Sequence, residues 1–521
     1  MRKPTPTFAI AAVLATSASL LAGCAAGSAG RASTSASASA SPAAGTSDAQ
    51  LRIGSLSAPA NLNPRLNSGP QVTYLQPVYD TLITRNSAGN LLPMLATAWS
   101  YDASRTELTL TLRAGLKFAD GTAFNAAAVK ANLTSFAAAA GAGAIEAAQI
   151  KTVQTPDATH AVIVLKQPDP GLLASLTDVL GMMISPAALG DPSKLATTPD
   201  GIGPYTFDAP ASVAGSSWVY QRNAHYYGSP GKFAQITENY YQSETAIVDA
   251  LRSGQLDTAE IQASDNQAAI QADASLTTTP VWFDWQGILL LDRAGAVTPA
   301  LKSPLVRQAL NYALDRAAML SKIQGGDGQV TDQIFSPKGA AYLPKLDDAY
   351  PYDPTKAKQL LARAGYPHGF TLTMPYIPTI VSSAMAVTLQ TYFAAIGVKL
   401  VWATPSADVT TQIEERTFSA FVFNDGEPAA DWQVIESLVL PGALNMFGST
   451  NPTELGLIAR IEQGGSGQQA ALASLNEWLV DNAWFVPFYR MRYLLVTDSA
   501  VKAVPDADMA VPALWDYSPA S

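Results

Sequence analysis

The sequence predicts an α/β protein folded into at least two lobes, and three observations carry that prediction. Its 521 residues exceed what a single hydrophobic core usually fills. Strand-like alternation recurs, best seen where Leu108, Leu110 and Leu112 alternate with Thr109, Thr111 and Arg113. Interspersed with such segments are helix starts with capping chemistry and one apolar face. Asn125 followed by Val129, Leu133 and Phe136 is an example.

The N-terminus stands apart from this pattern. Arg2 and Lys3 precede an uncharged apolar run from Phe8 to Ala22. That run is shorter than the ~20 residues a spanning helix needs, and it has the layout of a secretory signal over residues 1–23. It ends in Leu20-Leu21-Ala22-Gly23-Cys24, which holds the only cysteine of the chain. Leu-Ala-Gly-Cys resembles the lipobox of bacterial lipoproteins. The resemblance implies that Cys24 is acylated as the first residue of the mature chain and anchors it to the outer face of the cell membrane. An ordinary cleaved signal would leave Cys24 incidental, but no second cysteine exists to pair with it. Residues 24–47 are almost entirely Ala, Ser, Gly and Thr, a composition that buries too little apolar surface to order itself. They predict a flexible linker.

The rest of the composition is that of an ordinary globular protein, 48% hydrophobic and 14% charged. A net charge of −10 argues against nucleic-acid binding, which needs a basic surface. After the signal no apolar run reaches spanning length. His160, His225 and His368 are far apart, so a His- or Cys-based metal site is not expected, while a carboxylate site stays open. No cofactor is expected.

From about Asp48 the chain reads in order as follows. Leu51 to Leu56 alternates like a strand, and Asn61-Leu62-Asn63-Pro64 breaks it with turn residues. Val78-Tyr79-Asp80-Thr81-Leu82-Ile83 precedes the turn Ser87-Ala88-Gly89-Asn90, and Pro93 to Trp99 leads to the Leu108–Leu112 strand. Gly115 and Asp120-Gly121 are turn residues. Farther on, Ser303-Pro304 is an N-cap with proline at the first helical position, and Val306, Leu310, Ala313 and Leu314 form the inward face. Asp353-Pro354 repeats that start, with Leu360 and Leu361 inward and Gly365 placed to end the helix in a left-handed cap.

Several of these blocks, in this order, resemble extracellular solute-binding protein family 5, the oligopeptide- and nickel-type receptors of ABC importers. The fullest is Leu112-Arg113-Ala114-Gly115-Leu116-Lys117-Phe118-Ala119-Asp120-Gly121-Thr122. Upstream lie Leu62-Asn63-Pro64, Tyr79-Asp80-Thr81-Leu82 and Pro93-x-Leu95-Ala96-x-x-Trp99. Downstream lie Gly201-Ile202-Gly203-Pro204-Tyr205, Arg222-Asn223-Ala224-His225-Tyr226-Tyr227, Ser253-Gly254-Gln255-Leu256-Asp257, Val306 to Arg316, and Asp353 to Tyr366. They span nearly the whole mature chain, and physically they read as scaffold.

The resemblance implies a two-lobed periplasmic-binding-protein type II fold, with an extra subdomain on lobe one and a hinge between the lobes. Lobe one would take residues 48–84, 202–284 and 490–521, the subdomain 85–201, and lobe two 285–489. It further implies no chemistry by this chain. A small solute, a peptide or peptide-like compound, is captured between closing lobes and passed to an ABC permease and its ATPase by a monomeric receptor. Trp282 and Trp285 sit at the first crossover with a spacing that suits alternate faces of a strand, and they read as ligand contacts or as buried core aromatics. Peptide-binding members commonly carry an aspartate four places before a proline, which pairs with the peptide ammonium. Here the count back from Pro428 gives Asn424, with Asp425 one place late. Either the loop is rearranged and Asp425 serves, or no ammonium is anchored there. Asn424-Asp425-Gly426 also reads as turn chemistry. Trp432, Asn445 and Phe447 are further ligand-binding candidates.

A cell-surface hydrolase is the competing class. The chain lacks Gly-x-Ser-x-Gly, His-Glu-x-x-His and a phosphate loop, and Ser229-Pro230-Gly231-Lys232 lies in a Gly/Pro-rich loop without a helix. Asp347-Asp348 and Glu414-Glu415 read as solvated surface. A tethered ligand sensor on the same fold is the third reading.

Overall fold

Two long strands, Thr277–Leu290 and Phe485–Thr497, run antiparallel through the computed structural model of the protein. The structure describes residues 48–139, 144, 147–405, 409–426, 430–442, 444–505 and 512–520, leaving aside the side chains at 192, 264, 283, 284 and 410. The predicted signal, Cys24, the linker and Pro428 lie outside the described residues.

The two strands sit inside a nine-stranded mixed sheet. Phe485–Thr497 pairs with Thr258–Ile261, beyond which come Gln50–Ser55, Gln235–Tyr240, Ser217–Arg222 and Tyr205–Phe207. Thr277–Leu290 pairs on its far side with Ala420–Gly426, and Gly328–Val330 pairs with the middle of Phe485–Thr497, at Tyr489 to Met491. Gln50–Ser55 lies parallel to both its neighbours. A separate four-stranded antiparallel sheet holds Glu107–Leu112, where Leu108, Leu110 and Leu112 are buried as the alternation requires.

The hydrophobic cores divide the same way. One cluster gathers Leu51, Ile53, Leu110, Leu133, Phe136, Tyr220 and Ile236, all from residues 51–236 apart from Val501 and Tyr517. Two others cover opposite faces of the sheet formed by Ala420–Gly426 and the near ends of the long strands. Ile288, Leu290, Val422 and Phe488 lie on one face. Trp285, Leu289, Phe421 and Phe485 lie on the other. Along Phe485–Thr497 the core partner changes between Tyr493 and Leu494. Every residue of this strand except Arg492 is buried, which accounts for its nearly continuous apolar composition.

Most local signals are realised. Asn125 Oδ1 accepts from Ala128 N at 3.1 Å and starts the helix Ala126–Ala137. Asp353 Oδ1 accepts from Lys356 N at 2.8 Å at the head of Pro354–Arg363, and Gly365 past its end has φ +90°. Ser303 stands at the N-cap of Pro304–Tyr312, but its hydroxyl makes no capping bond. Asp348, Glu414 and Glu415 are exposed as expected, whereas Asp347 is not surface. It is half-buried, accepting Arg490 Nη1 at 3.0 Å, Thr331 Oγ1 at 2.7 Å and Gln333 Nε2 at 2.9 Å. A buried arginine on a central strand needs a counter-ion, and Asp347 is it.

Blocks distant in sequence meet here. Gly203 N and Tyr205 N donate to the carbonyls of Val78 and Pro77, at 2.8 and 2.9 Å. Buried Asp80 accepts the hydroxyls of Tyr226 and Tyr227, at 2.9 and 2.7 Å. Burial outweighs those two bonds and the nearby Arg113, and pushes the Asp80 carboxyl up to about 7.

Glu238 gives a test of the first core. It is 1% exposed, and one carboxylate oxygen has no hydrogen-bond partner. Burial raises its carboxyl from 4.5 to about 8, against a hydrogen bond from Thr73. The native state therefore holds a proton that the unfolded chain releases above pH 4.5, so stability falls as pH rises toward 8. Glu238→Gln is expected to be more stable than the parent at pH 8, with the difference vanishing near pH 5 in urea melts. A constant difference across that range contradicts the assignment.

Candidate functional site

Ala420–Gly426 continues as a strand through its last three residues, so Asn424-Asp425-Gly426 is not a turn. Strand pairing overrides the local turn preference, because Asn424, Asp425 and Gly426 oppose Gln286, Trp285 and Asp284. Asn424 Oδ1 accepts Gln286 Nε2 at 2.7 Å, and Gln286 Oε1 accepts the Tyr489 hydroxyl at 2.8 Å. Three neighbouring strands are thus tied by one polar chain, in which Gln286 is 3% exposed. Asn424 is committed to the sheet. Asp425 points to the other face by strand alternation, alongside Phe423 and Trp285, and is half-buried.

The tryptophans are less alike than their spacing suggests. The pairing shifts between Trp282 and Asp284, so the strand bulges between them. Trp282 is half-buried, while Trp285 is 1% exposed and packs edge-on against Phe485 with centroids 6.4 Å apart. Trp285 therefore underlies the wall, as the core-aromatic alternative expected.

Farther along, Trp432 lies on the turn Asp431–Val434 and is 6% exposed. Asn445 is fully buried: it accepts Arg293 Nη2 at 2.8 Å and donates to the carbonyls of Val439 and Ser449, at 2.7 and 2.8 Å. Arg293 in turn lies over the Trp484 ring at 4.1 Å. Asn445 thus organises its own loop. Phe447 is half-buried with Arg416 over its ring at 5.8 Å.

The sequence reading missed three carboxylates. Asp169, buried at 7% exposure, accepts Gly171 N at 2.9 Å and sits beside the Trp432 ring. Burial raises its pKa against the N–H bonds from Gly171 and Leu172. Burial, with the charge of Asp169 added, pushes Glu436 up to about 7 and raises Glu462 as well. Among 42 acidic residues nothing in the sequence singles these out, since the fold alone brings them together.

The candidate residues are thus gathered on and beside one core that borders the pair of long strands. The family model described as bacterial extracellular solute-binding proteins, family 5, matches residues 90–434, well over half of the chain. The chain belongs to that family, which consists of solute-binding proteins and not enzymes. A protein of Brucella ovis named as an ABC transporter peptide-binding protein is 29% identical over 422 residues, covering 75% of this chain and 74% of its own. Among solved structures, NikA of Brucella suis with Fe(III)-EDTA superposes at TM-score 0.76 and 22% identity, covering 91% of this chain and 100% of that one. DppA of Helicobacter pylori with the peptide STSA superposes at TM-score 0.76 and 19% identity, covering 91% and 98%. The fold is the two-lobed, hinged periplasmic-binding-protein fold of α/β class.

Glu436 provides a check on the carboxylate cluster. Its folded pKa of about 7 lies above the ordinary 4.5, so its charged form costs stability increasingly as pH rises through that interval. Glu436→Gln should raise the melting temperature at pH 8 and leave it nearly unchanged at pH 5. An equal shift at both values excludes a clustered, raised carboxyl.

Proposed function

We propose that this protein is the substrate-binding subunit of an ABC importer, capturing a peptide or peptide-like solute between closing lobes and delivering it to a membrane permease and its ATPase. Family membership carries this reading, and the name of the Brucella ovis relative favours peptide as the solute class. Lobe one comprises residues 48–84, 202–284 and 490–521, with 85–201 as its subdomain, and lobe two comprises 285–489. Ligand binding stabilises the closed form because it contacts both lobes at once. The receptor acts as a monomer, held at the outer face of the cell membrane by a lipid on Cys24. The linker from Ala25 to Ser47 then keeps it at high effective concentration near its permease.

Asp425 of lobe two is the residue assigned to a ligand ammonium, with Trp432 and Phe447 of the same lobe and Trp282 at the edge of lobe one as apolar contacts. Asn424, Trp285 and Asn445 shape the wall behind them. That division rests on side-chain commitments: Asn424 and Asn445 are bonded to the sheet or loop that holds them, and Trp285 is 1% exposed in the core.

A melting-shift screen of di- to hexapeptides, oligosaccharides and metal chelates tests the reading. A ligand at 100-fold its Kd should stabilise by about 2.7 kcal/mol. If no solute class raises the melting temperature, the receptor reading fails, and turnover of a peptide or ester would favour the hydrolase. With a peptide that binds, Asp425→Ala should weaken affinity at least tenfold, whereas Asn424→Ala should chiefly lower the melting temperature of the free protein. Unchanged peptide affinity in Asp425→Ala removes the ammonium assignment.

A further inference from the structure

Gly171 precedes the short helix Leu172–Ser175 with φ −84° and ψ −18°, a conformation open to any residue. Its lack of a side chain is therefore not a backbone requirement. The constraint is space: a Cβ there would lie 2.7 Å from Cδ1 of Trp432 and 3.6 Å from its Cγ. Gly171 adjoins Leu172, which packs in the core of residues 51–236, while Trp432 packs in the core that includes Trp285, Leu289 and Phe485 of the long strands. The ring thus bridges the two halves of the molecule far along the chain from the strands that join them.

A second contact runs parallel to it. A Cβ at Gly464 would lie 3.2 Å from Nε of Arg105 and 3.3 Å from its Cζ. Arg105 is held in place for this. It takes the left-handed conformation at φ +58° in a turn where Asp102 accepts the N–H groups of Ser104, Thr106 and Glu107 at 3.2, 2.9 and 2.8 Å. Its guanidinium also stacks on Tyr101 at 4.8 Å. Asp102 and Tyr101 flank one half, and Gly464 follows the helix Pro452–Gln463 of the other.

We propose that Gly171 is a seat shaped for the Trp432 ring and that this contact, with Arg105 against Gly464, is a clasp that holds the two lobes closed. The clasp is made by protein groups alone; Asp425 is not part of it, while Trp432 takes part both in it and in the proposed apolar contacts to the ligand. The consequence of the clasp for affinity rests on the receptor reading, since a receptor clasped a tenth of the time binds tenfold more weakly than one always clasped.

The test needs no ligand. In the full chain carrying Cys24→Ser, spin labels at Lys151→Cys and Lys358→Cys report the distance between the halves by double electron–electron resonance. Both lysines are exposed, on a strand of the four-stranded sheet and on the helix Pro354–Arg363. Gly171→Val is expected to move the distribution to longer distances, with circular dichroism and melting unchanged in form. In a Trp432→Ala background, itself displaced to longer distances, Gly171→Val should add nothing further, because its target is gone. An unchanged distribution in folded Gly171→Val overturns the proposal, as does an equal effect of valine in both backgrounds. Gly171→Ala carries the same expectation at smaller amplitude should the valine variant not fold. Failure of every solute in the melting screen would leave this result standing, so the two readings fail separately.

Discussion

The antiparallel pairing of Thr277–Leu290 with Phe485–Thr497 is the constraint on which the rest of the architecture depends. The strands serve the cores of both lobes and pair continuously from Thr277–Thr497 to Leu289–Phe485, so one sheet passes through the junction. A continuous ladder resists bending, because any change of twist strains many hydrogen bonds together. Relief comes where the ladder is already irregular, between Trp282 and Asp284 and between Gln286 and Gly287. At the second irregularity Gly287 faces Pro487, and a Cβ on Gly287 would lie 2.7 Å from the Pro487 Cα. Pro487 has no N–H to donate, and its carbonyl accepts from Arg316 Nε at 2.8 Å.

Around this pair, buried polar side chains fix the approach of helices to the strands. Arg316 Nε donates to the Pro487 carbonyl at 2.8 Å and pairs with Asp332 at 2.6 Å. Asn311 Nδ2 donates to the Phe485 carbonyl at 3.0 Å, and Arg307 reaches the carbonyls of Asn482 and Ala483. Burying a cation or an amide is tolerable only when its donors are all met, so these positions admit few replacements. The block Val306 to Arg316 was legible in sequence for that reason. It specifies how a helix docks on the second long strand. The same holds for Asp80 with Tyr226 and Tyr227, where two recognisable blocks prove to be two sides of one bonded cluster.

Legibility declines from such clusters toward the cleft. Caps at Asn125 and Asp353 were readable because a cap is a local bond between residues three apart. Asn424-Asp425-Gly426 has turn chemistry among its local readings, but its strand state depends on Gln286, far away in sequence. Asp347 was misread as surface because its partner Arg490 is likewise distant. Gly171 and Asp169 carried no signal at all. Their significance lies in what approaches them, and a small residue before a short helix looks the same whether or not an indole ring rests on it.

The one-residue offset at Asn424-Asp425 acquires a physical meaning from the strand. Successive residues of a strand face opposite ways, so moving a carboxylate by one place moves it to the other face. Asn424 lies on the Gln286 face and is spent on the bond that ties three strands. An aspartate there would meet the amide of Gln286 as an acceptor too, but would bring a charge into a chain whose other members are neutral and buried. The asparagine is therefore the better residue for the sheet, and a carboxylate is displaced to the face shared with Phe423, Trp285 and, beyond them in the same core, Trp432. On the receptor reading, a cationic group of the ligand then approaches from the aromatic side of this strand. Trp432, which meets Gly171, belongs to that same core, so the proposed ammonium site and the proposed clasp are built on one set of packed aromatics.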